Sequence, residues 1–259
     1  GVFRAHIDLS PGENLVRGRT ILFLYAKEKT FYTNSAFCEI TNSLVVNYDI
    51  DPPRLTPRTG FWRAFSPNGD GVRDTFTFPF SGSEALSRAY LTLYDGNRKI
   101  ALRDVLLQRE GNLVWDGSVD PVGEGAAATQ ATNGDYVFEA VGVDLAGNES
   151  APVRGVVHLD TEAPATTPRF FGNVFTNTPA SFYVNPGTEL RFTSVDRLSD
   201  VTRREFILDG GEAQVYTNAL VLDVPGRHPL LYRAVDDAGN AEVWVPNVLV
   251  VDEKPPPMS

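Results

Sequence analysis

Short segments in which apolar and polar residues alternate run along most of the chain. Examples are "AYLTLYD" (89–95), "YVFEAVGVD" (136–144) and "LLYRAVD" (230–236), each bounded by turn residues. Alternation places every second side chain on one face of a strand, so these segments predict strands that bury one face against a second sheet. No apolar period of helical spacing continues beyond two turns, and 22 glycines with 18 prolines suit many turns. The sequence predicts an all-β protein.

An internal repeat sets the organisation of these strands. The segment "YVFEAVGVDLAGNES" (136–150) is echoed by "LLYRAVDDAGNAE" (230–242), and an aspartate before a proline-containing junction follows each, at Asp160 and at Asp252. The repeats lie about 90 residues apart, close to the roughly 100 residues of an immunoglobulin-like sandwich. An earlier junction, "NYDIDPP" (47–53), ends a preceding unit. We therefore expect tandem immunoglobulin-like β-sandwiches.

The junctions divide the chain into three predicted units. Residues 1–53 are too short for a full sandwich and are interpreted as the C-terminal part of one. Residues 54–163 form a complete unit, and residues 164–259 form another with a proline-rich tail. Proline cannot donate a hydrogen bond to a sheet and restricts the residue before it, so each junction should end a strand and stiffen the linker. An elongated arrangement of the units is expected.

The central unit resembles a known family over residues 61–150. "FSPNGDGVRDTFTF" (65–78), "NLVWDGS" (112–118) and "TNGDYVFEAVGVD" (132–144) are similar to the FlgD-type Ig-like domain of flagellar hook-cap proteins and bacterial surface proteins. The "SPNGDG" opening is also similar to modules of gliding-associated surface proteins. The resemblance implies structural roles for Trp115, Asp116, Gly117, Gly134 and Tyr136.

Residues 164–252 resemble a second module, the Ig-like repeat of spirochaete and other bacterial envelope proteins. The matching elements are Leu208 to Gly211, Tyr216, Gly226, His228, Tyr232 to Asp236, and Ala238 to Asn240. Together the two resemblances imply an extracytoplasmic segment of a larger bacterial envelope protein, in the periplasm, on the outer-membrane surface or secreted. Its expected function is that of a spacer, a scaffold or an adhesin-like binding module.

Charge and composition exclude several partners and sites. The net charge of −10 and the isoelectric point of about 4.8 disfavour nucleic acid and anionic lipid, both of which attract basic surfaces. A single cysteine, Cys38, excludes an internal disulfide and a multi-cysteine metal cluster. No apolar run approaches the roughly 18 residues of a membrane span, so no transmembrane segment is predicted in this chain.

The sequence carries no recognisable catalytic motif. His6, His158 and His228 lie at spacings that fit no metal motif, and nucleophile or phosphate-loop signatures are missing. Paired acids are common in the turns of extracellular β-proteins, so we predict that the chain is not an enzyme. Two alternatives stay open: an accessory module of a secreted hydrolase, and a structural assembly subunit of a hook-cap or filament type.

The loop that opens the central unit is the one candidate metal site. Asn68, Asp70 and Asp74, with Ser66, fit the pattern S-x-N-x-D-G-x-x-D, in which alternate oxygens face one centre and Gly71 permits the sharp turn. Serine at the first position and the lack of a late glutamate depart from the full calcium loop. Two interpretations stay open: a calcium site, or an ion-free cluster of Asx turns that satisfies its own backbone.

Two stretches are candidates for binding a protein or glycan partner. One is the loop Ser118–Asn133, which is rich in small residues and longer than the FlgD-type family has there. The other is the aromatic stretch Arg169–Val184, for which two core-facing strands are the alternative interpretation. The sequence leaves the oligomeric state open.

Overall fold

The structure, a computed structural model, describes residues 18–27, 39–123, 125–178 and 180–253, with the backbone alone for 18–27, 39–48 and 177. The described residues form nineteen strands and no helix, which confirms the all-β prediction. In these ranges no helix of the length and apolar character needed to cross a bilayer occurs. His6 and Cys38 lie outside the described residues.

The described N-terminal part is a two-stranded hairpin. Strand β1 (Gly18–Lys27) pairs antiparallel with β2 (Glu39–Tyr48) in unbroken register, from Gly18 opposite Tyr48 to Lys27 opposite Glu39. The hairpin ends at Tyr48, within the first proline junction (47–53).

The central sandwich is built around one long hairpin, β5–β6. Pairing in β5 is irregular between Ser81 and Leu86, so its first half pairs with β3 and its second half with β9. The sheet order is β3-β5-β9-β10-β4, with β6 also bonded to β5, and β7 and β8 form a separate pair. The strands are β3 (Leu55–Pro57), β4 (Ala64–Phe65), β5 (Phe76–Asp95), β6 (Arg98–Trp115), β7 (Ser118–Val119), β8 (Thr129–Gln130), β9 (Gly134–Asp144) and β10 (Val153–Leu159).

Aromatic side chains fill the core of the central sandwich. Phe76 and Phe78, two residues apart on β5, both face Phe138 on β9, with ring centroids 5.2 and 5.4 Å from it. Trp115 is fully buried against Tyr136, with centroids 5.2 Å apart, and its Nε1 donates to the Ser118 carbonyl at 2.9 Å. These contacts are the burial that alternation predicts, and they explain structural roles for Trp115 and Tyr136.

The C-terminal sandwich consists of two sheets. One has the order β11-β14-β17 and the other β12-β13-β19-β18-β15-β16. A separate core lies between them, where the Phe192 ring lies 5.0 Å from Tyr216 and 4.9 Å from Tyr232. The strands are β11 (Ala165–Phe171), β12 (Val174–Thr178), β13 (Ser181–Val184), β14 (Thr188–Val195), β15 (Val201–Leu208), β16 (Gln214–Val215), β17 (Leu220–Leu222), β18 (Gly226–Asp236) and β19 (Val245–Val251).

Both sandwiches end in the same way. The last strand of each, β10 or β19, runs antiparallel to the preceding long strand and parallel to an early strand, β4 or β13. The junction aspartate then extends this pairing: the Asp160 N–H donates to the Phe65 carbonyl at 3.0 Å, and the Asp252 N–H donates to the Val184 carbonyl at 2.9 Å. The sequence repeat is therefore also a structural repeat, and it fixes where the chain leaves each sandwich.

Candidate functional site

The predicted calcium loop, residues 66–74, uses its polar side chains on its own backbone. The Asp74 carboxylate accepts the N–H groups of Gly69 at 2.8 Å and Gly71 at 2.9 Å. Asn68 Oδ1 accepts the Asp70 N–H at 3.0 Å, and Asn68 Nδ2 donates to Asp70 Oδ2 at 3.0 Å. This is the bonding of an Asx-turn cluster. Calcium at Asn68, Asp70 and Asp74 stays a prediction.

The fourth predicted ligand, Ser66, is turned towards the C-terminal sandwich. Its side chain is fully buried, and Oγ donates to Asn240 Oδ1 at 2.6 Å across 174 residues of sequence. The Ser66 hydroxyl therefore joins two sandwiches.

The same loop packs against the turn 236–240, which begins at the last residue of β18. Gly239 has φ of +98°, and a Cβ added there would lie 2.8 Å from Val72 Cγ1. Arg73, the next loop residue, stacks its guanidinium 3.7 Å from the centre of the Trp62 ring. The loop is a docking element between sandwiches, and glycine in the facing turn permits its close approach.

Asn240 is the centre of this junction. It is 4% exposed, and its Nδ2 donates to the Asp160 carbonyl at 2.9 Å and to Asp236 Oδ2 at 2.8 Å. Its Oδ1 accepts the bond from Ser66. One amide thus connects the opening loop of the central sandwich, the linker and the turn of the next sandwich.

Three carboxylates converge beside Asn240. Oxygen atoms of Asp160, Asp196 and Asp236 all lie within 4.8 Å of one another. Asp160 is fully buried and Asp236 is 2% exposed, and Asp160 Oδ2 accepts from the Ser199 hydroxyl at 2.6 Å. Burial raises the pKa of Asp160 above its ordinary value, the hydrogen bond from Ser199 opposes the rise, and the charges of Asp196 and Asp236 add to it. Within the described part of the chain, none of the three acids forms an ion pair with a basic side chain.

A corresponding acidic group lies at the first junction. Carboxylate oxygens of Asp49, Glu84 and Asp144 also lie within 4.8 Å of one another. Asn148 takes the place of Asn240, because its Nδ2 donates to the Asp49 carbonyl at 3.1 Å and to Asp144 Oδ2 at 2.8 Å. Burial of Asp144 acts to raise its pKa, but hydrogen bonds from Asn148 and from the N–H groups of the turn outweigh it, and the pKa lies below its ordinary value.

The two groups have the same construction. Each takes one acid from the linker, one from within or just after an early strand, and one from the first position of a D-x-A-G-N turn. Such a set of carboxylates matches the hard oxygen ligands of calcium, and without a cation it can relieve its repulsion by sharing a proton. Sequence reasoning missed these groups, although both D-x-A-G-N turns and both aspartate–proline junctions were visible in the repeat.

The two predicted binding stretches are partly exposed. In Ser118–Asn133 the short strands β7 and β8 pair, and Asp120 accepts a 2.6 Å bond from Arg103. In Arg169–Val184, Phe170 packs against Phe182 with ring centroids 4.7 Å apart. Phe175 in the same stretch is 67% exposed. Only part of the aromatic stretch therefore faces the core.

The sequence matches no protein-family model and no curated protein. Similar solved structures include fibronectin(III)-like modules of Clostridium thermocellum CbhA, at 14% identity over 77% of this chain and 94% of that one, with a TM-score of 0.37. A bacterial ice-binding adhesin is similar at 10% identity, 79% and 67% coverage and a TM-score of 0.35. A tetra-tandem repeat from the extending region of a large adhesion protein shows 16% identity and a TM-score of 0.31, over 93% of this chain and 58% of that one.

Proposed function

We propose that this chain is a non-enzymatic, extracytoplasmic segment of a larger bacterial envelope protein that holds successive Ig-like sandwiches in a set orientation, as a spacer or scaffold. The observation that carries the proposal is the buried bridge through Asn240, which links Ser66, Asp160 and Asp236. A freely jointed string of sandwiches would leave its linkers in water. Here the linker residue Asp160 is fully buried between its neighbours.

The proposed orientation is testable by distance measurement between the two described sandwiches. Spin labels at Asn97 and Asn218, two exposed turn positions, would be attached through cysteines in a Cys38→Ser background. We expect a narrow distance distribution for the wild-type junction and a broader one when Ser66→Ala and Asn240→Ala are combined. A broad distribution with the junction intact would contradict the spacer function.

Light scattering at micromolar concentration separates this proposal from an assembly subunit. A spacer segment should be monomeric, whereas a hook-cap or filament component should self-associate. Adhesin-like binding would add a partner surface, for which the exposed Phe171 and Phe175 are candidates for a protein or glycan. A protein or glycan that binds the wild-type chain but not a Phe175→Ser variant would support that addition.

Calcium is part of the proposal at three places: the predicted loop 66–74, and the acidic groups of the two junctions, which bring their acids together in the same way. Calcium at either acidic group would cancel the repulsion between its three carboxylates and stiffen the junction. Thermal unfolding with 5 mM calcium or with a chelator measures this, since a ligand at a hundred times its Kd adds about 2.7 kcal/mol to the free energy of unfolding.

Matched variants locate the ion. Asp236→Asn should remove the calcium effect if the second junction holds it, and Asp144→Asn if the first junction does. Asp70→Ala should remove it only if the loop 66–74 is the site. An unfolding temperature that is unchanged by calcium and by chelation would exclude all three, and would leave the spacer proposal to the distance measurement.

A further inference from the structure

His228 lies at the end of the C-terminal sandwich where the chain leaves β19. It follows the first two residues of β18 and is paired opposite Leu249. Its side chain is only 15% exposed, and it lines a small open cavity of about 90 Å³ whose apolar lining includes Leu208, Leu222 and Val251. The ring therefore lies beside core residues at this end.

Both ring nitrogens of His228 face hydrogen-bond acceptors. Nδ1 lies 2.9 Å from Asp209 Oδ2, and Nε2 lies 2.8 Å from the carbonyl oxygen of Val224. A carboxylate and a carbonyl oxygen have no proton to donate, so each bond needs an N–H on the ring. A neutral imidazole has one N–H and an imidazolium has two, so the observed geometry fits the protonated ring.

Asp209 is the charged group near the ring that favours its positive charge. The turn after β15 contributes Asp209, and the loop between β17 and β18 contributes Asp223, which lines the same cavity. Arg227 is the adjacent residue of β18, and the facing β19 residues Leu249 and Val251 carry no charge. The hydrogen bond to Asp209 raises the pKa of His228, the bond to the Val224 carbonyl adds to it, and burial opposes both.

We propose that His228 is a proton-dependent latch: its imidazolium ties the turn 208–211 to the loop 222–226, and loss of the proton loosens this end of the sandwich. One of the two bonds must break when the ring becomes neutral, and the freed nitrogen lone pair then faces an acceptor oxygen. Asp209, which accepts the Nδ1 bond, lies in the turn that directly follows β15. The latch adds pH sensitivity to the segment and is independent of the spacer function.

The sign of the effect follows from linkage. Because the pKa of His228 is raised on folding, its contribution to stability is complete below the unfolded value of about 6.5. The contribution is lost as the pH rises through the higher folded value. The latch is thus closed below a pH of about 6.5 and opens as the pH rises through the folded pKa of His228.

Nitrogen-15 NMR on the full chain tests the latch directly. We expect both ring nitrogens of His228 to be protonated at pH 6.5, and amide exchange in 208–211 and 222–226 to accelerate beyond its intrinsic pH dependence between pH 6.5 and 9. His158 is the matched control. Its Nδ1 lies 2.7 Å from Asp135 Oδ1, but its Nε2 forms no hydrogen bond with the described residues, so a neutral ring satisfies this site. His158→Gln should leave the exchange transition at the C-terminal end unchanged.

Two variants of the latch complete the experiment. His228→Gln should make exchange in both segments fast at either pH, and Asp209→Asn should move the transition to lower pH by weakening the charge that holds the proton. The wild-type titration decides the matter even if a variant does not fold. A neutral His228 at pH 6.5, or exchange in both segments that follows only the intrinsic pH dependence, would overturn the proposal.

Discussion

Replacing Asn240 with alanine is the sharpest test of the junction. The substitution removes three buried hydrogen bonds: two donated by Nδ2, to the Asp160 carbonyl at 2.9 Å and Asp236 Oδ2 at 2.8 Å, and one accepted from Ser66 Oγ at 2.6 Å. Asn240 is 4% exposed and Ser66 is fully buried, so water does not readily replace the lost partner. Alanine retains the backbone N–H that donates to Asp236 Oδ1 at 2.8 Å, so the turn itself keeps one anchor.

The expected cost follows from the number of bonds. A buried hydrogen bond contributes about 1 kcal/mol net, and an unpaired buried partner costs about 1–3 kcal/mol, so Asn240→Ala should lower the free energy of unfolding by about 3 kcal/mol. For a sandwich of this size, 1 kcal/mol shifts Tm by roughly 4–8 °C. The C-terminal sandwich should therefore unfold at least about 12 °C below its wild-type temperature.

Urea unfolding of the full chain, followed by amide NMR signals from each sandwich, measures this cost. Asn148→Ala is the matched control, because Asn148 makes the same two donations, at 3.1 and 2.8 Å, and has no bond from a serine among the described residues. We expect the control to cost about 1 kcal/mol less than Asn240→Ala. A double-mutant cycle of Ser66→Ala with Asn240→Ala isolates the bond across the junction, with an expected coupling of about 1 kcal/mol. Additive effects in that cycle, or a cost below about 0.5 kcal/mol for Asn240→Ala, would refute the bridge.

Three further outcomes are expected from the same geometry. Trp115→Ala should destabilise the central sandwich by about 3–5 kcal/mol in urea unfolding, because it empties a fully buried site. Gly239→Ala should destabilise by about 1–3 kcal/mol, since φ is +98° and the added carbon would lie 2.8 Å from Val72, whereas alanine at Gly147, with φ of +95° and open space, should cost less. Asp144 has a lowered pKa in the folded state, so its contribution to the free energy of unfolding should be complete above a pH of about 3.9 and should be lost as the pH falls through the folded pKa. An acid titration of stability should lack this loss in the Asp144→Asn variant.

The strands were predictable because each carries its signal locally. In β5 and β9 the alternating side chains include the residues that meet in the core, Phe76, Phe78 and Phe138. A period of two fixes which side chains share a face, and turn residues fix where each strand stops. The long β5–β6 hairpin, with its irregular pairing between Ser81 and Leu86, was not predicted, since register shifts depend on contacts with partner strands.

The acidic groups at the junctions were not predictable from spacing. Asp160 is tied to Asn240 across 80 residues, and Ser66 to Asn240 across 174. No local pattern marks Glu84 or Asp196 as a partner of these residues. The loop 66–74 was ambiguous for a different reason: its residues suit a metal loop and a self-capped turn equally, and sequence alone does not show that the Gly69 and Gly71 N–H groups point at Asp74.

The D-x-A-G-N turn both closes a hairpin and bonds to the linker. Its aspartate caps the turn, and its asparagine has both a carbonyl and an NH₂ group, so it can bond to that aspartate and still reach the linker carbonyl. The same two donations recur at Asn148, which contacts Asp144 and the Asp49 carbonyl. One asparagine side chain bonds both to the turn aspartate and to the linker carbonyl. Loss of either the turn or the junction would therefore leave a polar group of the other without its hydrogen-bond partner. If the proposed spacer function holds, the orientation of each sandwich on its linker is therefore coupled to the folding of its own hairpin.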